Sequence, residues 1–254
     1  MPAETAPNVL PAGACVLAFD TSTECLAIAV QGASATFTRL AEGGALASAT
    51  LLPHIHDLLA QAGLSLADVA AIGFGRGPGA FTGLRTACAV AQGLGLGLAR
   101  PLLPIDSLLI VAEDARTQVA PDAPQCDVGV AMDARMDEVY AGRYRWQGGR
   151  WQVVQAPALV SLPGLAEAWA GETRQLLAGS ALAAFGARLV LPAACRRVET
   201  EQDRPGALLR LAQQALQAGE GVDAAAALPL YLRDKVALTT SEREAGRAAA
   251  AAAA

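Results

Sequence analysis

The sequence predicts an α/β protein of two similar lobes with a cleft between them. Two β-rich segments, one opening at Cys15 and one at Val128, each give way to stretches of helical periodicity. Pro121 to Pro124 reads as a joint between them. At 254 residues the chain is long enough for one large domain or two lobes. The boundaries expected from this pattern are a loose arm over 1–14, a first lobe over 15–106, a second over 107–238 and a low-complexity tail over 239–254.

In chain order, Cys15 to Phe19 is a short apolar strand ending in Asp20-Thr21-Ser22-Thr23, and Leu26 to Val30 and Ala33 to Thr38 continue as strands joined by tight turns. From Ala49 to Ala62 the period becomes helical, with Leu52, Ile55, Leu59 and Ala62 on one face and Gly63 as a stop. Pro53 fits that helix only in its first turn. Val69 to Phe74 is a buried strand, Gly75 to Gly79 a loop, and Phe81 to Ala99 a helix. Leu102 to Ile105 is a strand, and Ser107 to Gln118 a helix that starts after Asp106. Beyond the joint, Val128 to Met132 and Val139 to Tyr144 pair around Asp133-Ala134-Arg135. Leu162 to Ala170 is a helix, Leu176 to Ala178 a short strand, and Pro205 to Ala218 a helix with proline at its start.

Composition removes several function classes. Hydrophobic residues make up 53% of the chain and charged residues 17%, enough for a sizeable core. A net charge of −5, with Lys235 the only lysine, argues against non-specific nucleic-acid affinity, because replacing phosphate counterions requires Lys and Arg. RNA would be reached through a basic partner. Five widely spaced cysteines without a C-x-x-C pair point to a reduced, cytosolic protein. Met1 to Ala14 lacks a basic n-region, and the stretch Thr86 to Leu98 is too short for a bilayer span, so no membrane role is expected.

The most informative stretch is Gly75 to Arg85, which reads Gly-Arg-Gly-Pro-Gly-Ala-Phe-Thr-Gly-Leu-Arg. Glycines between a strand and a helix let backbone N–H groups converge on an anion, with Arg76, Gly77 and Gly79 as the cradle. The same glycines also serve a tight turn between packed segments, and both readings stand. Walker A is excluded, since no Gly-Lys-Ser/Thr is present. In the helix that follows, Gly93, Gly95 and Gly97 each cost about 0.5–1 kcal/mol relative to alanine, a cost usually offset by close backbone approach. Its 3–4 stripe of Leu84, Cys88, Ala91, Gly95 and Leu98 faces its own sheet or a partner helix.

A catalytic centre is hard to assemble. His54 and His56 project about 200° apart on a helix and cannot share a metal. There is no H-E-x-x-H, cysteine cluster or G-x-S-x-G elbow. Asp20 and Asp133 both end apolar strands, so paired carboxylates holding Mg²⁺ across a cleft, as in an ATP-dependent small-molecule kinase or phosphohydrolase, form the alternative reading.

Four segments together resemble one family. They are Asp20 to Thr23, Arg76 to Arg85, Asp133-Ala134-Arg135-Met136-Asp137-Glu138-Val139-Tyr140, and Pro229-Leu230-Tyr231-Leu232-Arg233. In order and spacing, from Cys15 to Arg233, they look like the TsaB (YeaZ) family. The resemblance implies the actin/Hsp70/sugar-kinase, ribonuclease H-like fold. It implies a non-catalytic subunit in the making of threonylcarbamoyladenosine at position 37 of tRNAs reading A-starting codons. Its expected partners are the catalytic TsaD and the ATPase TsaE, or a second copy in their absence, with tRNA met only through the complex. Laid on this chain, the His-x-x-x-His of the catalytic relative falls on Ser107 and Val111, so no metal is expected. A degenerate cleft of Asp20, Thr21, Ser22, Thr23, Arg76, Gly77, Gly79, Asp133 and Arg135 leaves room for weak ATP or ADP with Mg²⁺, and no tightly held cofactor. Partner contact is expected through the helices carrying Leu52, Ile55, Leu59, Leu84, Cys88, Ala91, Gly95 and Leu98.

Overall fold

The computed structural model describes residues 15–32, 35–170, 176–191 and 195–233. The expected arm over 1–14 and tail over 239–254 lie outside these, as do the first two residues of the strand expected from Ala33.

Two five-stranded sheets form the frame. The first contains β1 (Cys15–Asp20), β2 (Cys25–Gln31), β3 (Thr36–Glu42), β4 (Val69–Gly77) and β5 (Leu102–Asp106), in the order β3-β2-β1-β4-β5. The second contains β6 (Gln125–Asp133), β7 (Glu138–Gln147), β8 (Arg150–Ser161), β9 (Leu176–Ala178) and β10 (Arg196–Val198), in the order β10-β9-β6-β7-β8. In each sheet the first strand pairs antiparallel with the second and parallel with the fourth. The two lobes therefore repeat one topology, although no internal repeat is visible in the sequence. This is the two-lobed actin/Hsp70/sugar-kinase-like fold.

Helices α1 (Ala47–Gln61) and α2 (Phe81–Leu98) cover one face of the first sheet. The other face is covered by α6 (Arg204–Gln217), whose Leu208, Leu211 and Ala212 pack on Val16, Ala18 and Ala71. Helix α3 (Ser107–Val119) lies on the second sheet and also against α6. Two smaller helices, α4 (Leu162–Trp169) and α5 (Ala181–Phe185), close the outer face of the second sheet. The second lobe expected over 107–238 thus returns its last helix to the first sheet. The chain then runs back along that lobe, pairing Val222 with Leu102 and donating from Leu230 N to the Arg76 carbonyl at 2.7 Å.

Helix α1 departs from the expected pattern. It begins at Ala47, so Pro53 lies beyond the first turn and leaves the Ala49 carbonyl without its usual donor. That costs about 3 kcal/mol. Burial of Leu51, Ile55, Leu58 and Leu59, at about 1.5–3 kcal/mol each, outweighs it. The buried stripe is therefore offset from the expected one, and Leu52 is 42% exposed. His54 is half-buried with Nδ1 2.8 Å from the Arg39 guanidinium, while His56 is exposed.

All five cysteines are free. Burial pushes the Cys15 thiol up to about 11 and raises those of Cys88 and Cys126 as well. All three are therefore protonated and enclosed at pH 8. With a disulfide-exchange reagent at pH 8, the exposed Cys25 and half-buried Cys195 are expected to react first, and the others only on unfolding. A third fast thiol would mean that the sheet core opens under native conditions.

Candidate functional site

Between the lobes lies a cleft of about 560 Å³. The turn after β1 gives it Ser22, Thr23 and Glu24, and the loop before α2 gives Pro78, Gly79 and Phe81. The second lobe contributes Met132, Asp133, Arg135 and Tyr140, and the returning chain adds Tyr231 and Arg233. Of the expected cleft residues, Ser22, Thr23, Gly79, Asp133 and Arg135 line it. Asp20, Thr21, Arg76 and Gly77 do not.

Asp20 sits beneath the floor, fully buried, and Arg204 at the start of α6 reaches it with Nη2 at 2.7 Å and Nε at 2.8 Å from the same oxygen. Ser22 Oγ donates to that oxygen at 2.9 Å and accepts from Arg204 Nη2 at 3.0 Å. Ser107 Oγ approaches the other oxygen at 3.4 Å, and Glu201 pairs with Arg204 Nη1 at 2.5 Å. Burial works against the Arg204 charge, but Glu201 and Asp20 more than offset it and hold the guanidinium above its ordinary value. The two carboxylates of the alternative Mg²⁺ reading are placed differently: Asp133 lines the cleft, while Asp20 is buried beneath it and salt-bridged to Arg204. Arg204 escaped sequence analysis, though one signal was available. A cation in the first turn of a helix opposes the macrodipole, so it needs carboxylates nearby to hold it.

The glycine loop is taken up by packing. A Cβ at Gly75 would stand 1.7 Å from Asp20 Oδ1, one at Gly79 2.4 Å from the Ser22 carbonyl, and one at Gly83 1.8 Å from the Thr21 carbonyl. Thr21 Oγ1 donates to the Gly83 carbonyl at 2.7 Å, and Ala80 N to the Ser22 carbonyl at 2.8 Å. The tight-turn reading of the loop describes this arrangement, in which the glycines hold the turn after β1 against α2. A bulge in the β4–β5 pairing, between Gly75 and Gly77, carries Arg76 out of the cleft altogether.

Across the cleft, Arg135, Met136 and Asp137 all have positive φ, of 65°, 57° and 57°. Left-handed residues of this kind cost roughly 1–2 kcal/mol each, so the loop is held by its contacts. Asp133 Oδ1 accepts from Arg135 N at 2.8 Å, Arg188 pairs with Asp137 at 3.0 Å, and Arg233 Nη2 donates to the Ala134 carbonyl at 3.0 Å. Arg233 also pairs with Glu138 at 2.7 Å, and Arg135 meets Glu24 of the first lobe at 3.4 Å. On the opposite wall the Arg85 guanidinium lies 3.9 Å over the Phe81 ring and donates to Tyr231.

A family model described as TsaD: tRNA N6-adenosine threonylcarbamoyltransferase matches residues 46–240. The Escherichia coli (strain K12) protein named tRNA threonylcarbamoyladenosine biosynthesis protein TsaB is 31% identical over 236 residues, covering 87% of this chain and 96% of that one. The chain belongs to the TsaB (YeaZ) family. A Haemophilus influenzae member is 41% identical over 128 residues, about half of each chain at 49% and 51%. The solved structure of YeaZ from Pseudomonas aeruginosa is 38% identical, with a TM-score of 0.74 over 86% of this chain and 100% of that one.

Within this TsaB-family chain, Ser107 and Val111, the positions expected from the resemblance to lack metal-binding imidazoles, are both enclosed in the protein. Ser107 Oγ accepts from Gly77 N at 3.0 Å, and Val111 is 2% exposed in the core beneath α3. Among the described residues no group of three or more His, Cys, Asp or Glu side chains could hold a metal ion, and no helix is long and apolar enough to cross a membrane. The expected partner stripe also needs correction. Ile55, Leu59, Leu84, Cys88, Ala91 and Gly95 are buried against the chain's own sheet, because that is where the 3–4 period of both helices points. Gly95 is needed there, since a Cβ would meet the Leu102 side chain at 2.7 Å. Gly93 and Gly97 have nothing within 4 Å of a Cβ and face outward beside Leu96, which is 79% exposed. Of the expected set only Leu52 is an exposed hydrophobic, since the half-buried Leu98 packs against the core.

Proposed function

We propose that this protein is the non-catalytic subunit of a tRNA threonylcarbamoyladenosine-forming complex. In this reading it supports modification of adenosine 37 in tRNAs that read A-starting codons. It does so in the cytoplasm, by binding a TsaD-like catalytic subunit and a TsaE-like ATPase. The observation that carries this reading is the near full-length match to a protein named for that biosynthesis. The cleft supports it from the chemical side. Asp20, the carboxylate at the end of β1, is neutralised internally by Arg204, and the glycine loop before α2 is filled by the turn after β1.

The docking face in this proposal is the outer side of α1 and α2, with Leu46, Leu52, Gly93, Leu96 and Gly97, where paired small residues admit a close helix. The test is reconstitution of tRNA modification with the cognate TsaD-like and TsaE-like proteins, with and without this chain. Modification that depends on the chain is expected, whereas equal modification in its absence would reject the proposal. Gly93→Trp is expected to leave the fold intact and to abolish co-elution with the TsaD-like protein. Ala91, fully buried, cannot serve for that test.

A further inference from the structure

A second cavity, of about 310 Å³, lies apart from the cleft, between the β4–β5 edge, α6 and the β7–β8 hairpin. Its size is at the lower end of the range for small-molecule sites. Arg76, the cation that the sequence motif singles out, is delivered here by the bulge in β4. Its guanidinium makes no hydrogen bond or ion pair with any described residue, and its Nε is buried without a partner. The carboxylate it faces, Asp106, is fully engaged elsewhere. One oxygen accepts from Leu108 N at 2.9 Å as the cap of α3, and the other accepts from the Tyr144 hydroxyl at 2.7 Å. Burial pushes the Asp106 carboxyl above its usual range, although both hydrogen bonds and the Arg76 charge pull it back. Arg76 is thus a half-buried cation with a charged neighbour but no bonded counter-ion.

The rest of the cavity defines what would complete it. Trp151, Val153, Leu109 and Leu211 give it an apolar lining, Gln214, Gln217 and Glu220 a polar side, and the exposed Arg150 stands at the hairpin rim. We propose that this cavity binds a small organic carboxylate, its anionic end on the open edge of the Arg76 guanidinium and its apolar body against Trp151. A guanidinium fork matches a carboxylate in two parallel hydrogen bonds. The apolar walls favour an organic anion over a fully hydrated inorganic one.

The test is a tryptophan-fluorescence titration of the full chain with phenylacetate at constant ionic strength, since Trp151 lines the site and Trp146 meets it edge-on with ring centroids 5.6 Å apart. Saturable quenching is expected. Arg76→Gln should raise Kd at least about tenfold, and Arg150→Gln, at an exposed position, about threefold. In wild-type protein the side-chain N–H resonance of Arg76 should shift with the same midpoint, which keeps the test informative if Arg76→Gln fails to fold. The proposal is overturned by an unchanged Arg76 resonance, by equal Kd in folded Arg76→Gln, or by saturation with inorganic phosphate and not with phenylacetate. None of these outcomes depends on tRNA modification.

Discussion

Replacing Arg204 by methionine is expected to lower the free energy of unfolding by about 3–5 kcal/mol, because breaking a buried ion pair from one side leaves an uncompensated charge. Methionine keeps most of the side-chain length, so lost packing is a minor part of the change. Asp20 would keep only hydroxyl and backbone partners, from Ser22 and Ser107. The double variant Asp20→Asn with Arg204→Met should recover most of the loss, since removing both charges of a buried pair is often neutral. Urea unfolding of the two single variants and the double, at pH 7, measures the coupling directly. A loss below about 1 kcal/mol in Arg204→Met, the scale of an exposed pair, would mean that water reaches Asp20 and that the floor of the cleft is open.

The second large effect is expected at Gly83. Alanine there would place a methyl carbon 1.8 Å from the Thr21 carbonyl oxygen, and that atom belongs to backbone and not to a side chain that can swing away. Relief requires shifting the turn after β1, which carries Asp20 and Ser22 of the ion-pair network and the Thr21–Gly83 hydrogen bond. A loss of at least about 3 kcal/mol is expected, at the upper end of overpacking effects. Gly93→Ala, on the open side of the same helix, should instead gain about 0.5–1 kcal/mol from helix propensity alone. Thermal unfolding of the two variants side by side checks the contrast. Equal stabilities would show that the loop and turn are not in contact in solution.

Much of the fold could be read from the sequence. β1, β2 and β5 and helices α2, α3 and α6 lie within a residue or two of their expected positions, since each carries a strong apolar period or a proline or aspartate at its start. β4 starts at Val69 as expected but runs on through Gly75 to Gly77, which were expected in the loop. β8 was not foreseen. It is an edge strand with no fully buried residue and a proline at 157, and its apolar residues, among them Val153, Val154, Leu159 and Val160, do not alternate regularly with polar ones. β3 begins at Thr36 and runs further than expected for a similar reason, as its residues alternate only between exposed and half-buried. On α1 the expected face was displaced because Leu52 matches the 3–4 spacing as well as Leu51 does. Only packing against the first sheet decides which of them is covered.

The site divides in the same way. By itself the sequence determined the family, the two-lobed plan and the segments that meet at the cleft, because motif order and local periodicity are carried by neighbouring residues. Tertiary structure alone decided that Asp20 is neutralised by a guanidinium 184 residues away, that a bulge turns Arg76 from the cleft into a separate cavity, and that α6 crosses back to the first lobe. The physical reason is that charge pairing and burial depend on distance in space. A carboxylate at the end of a strand reads the same whether a metal, water or an arginine is destined to sit beside it.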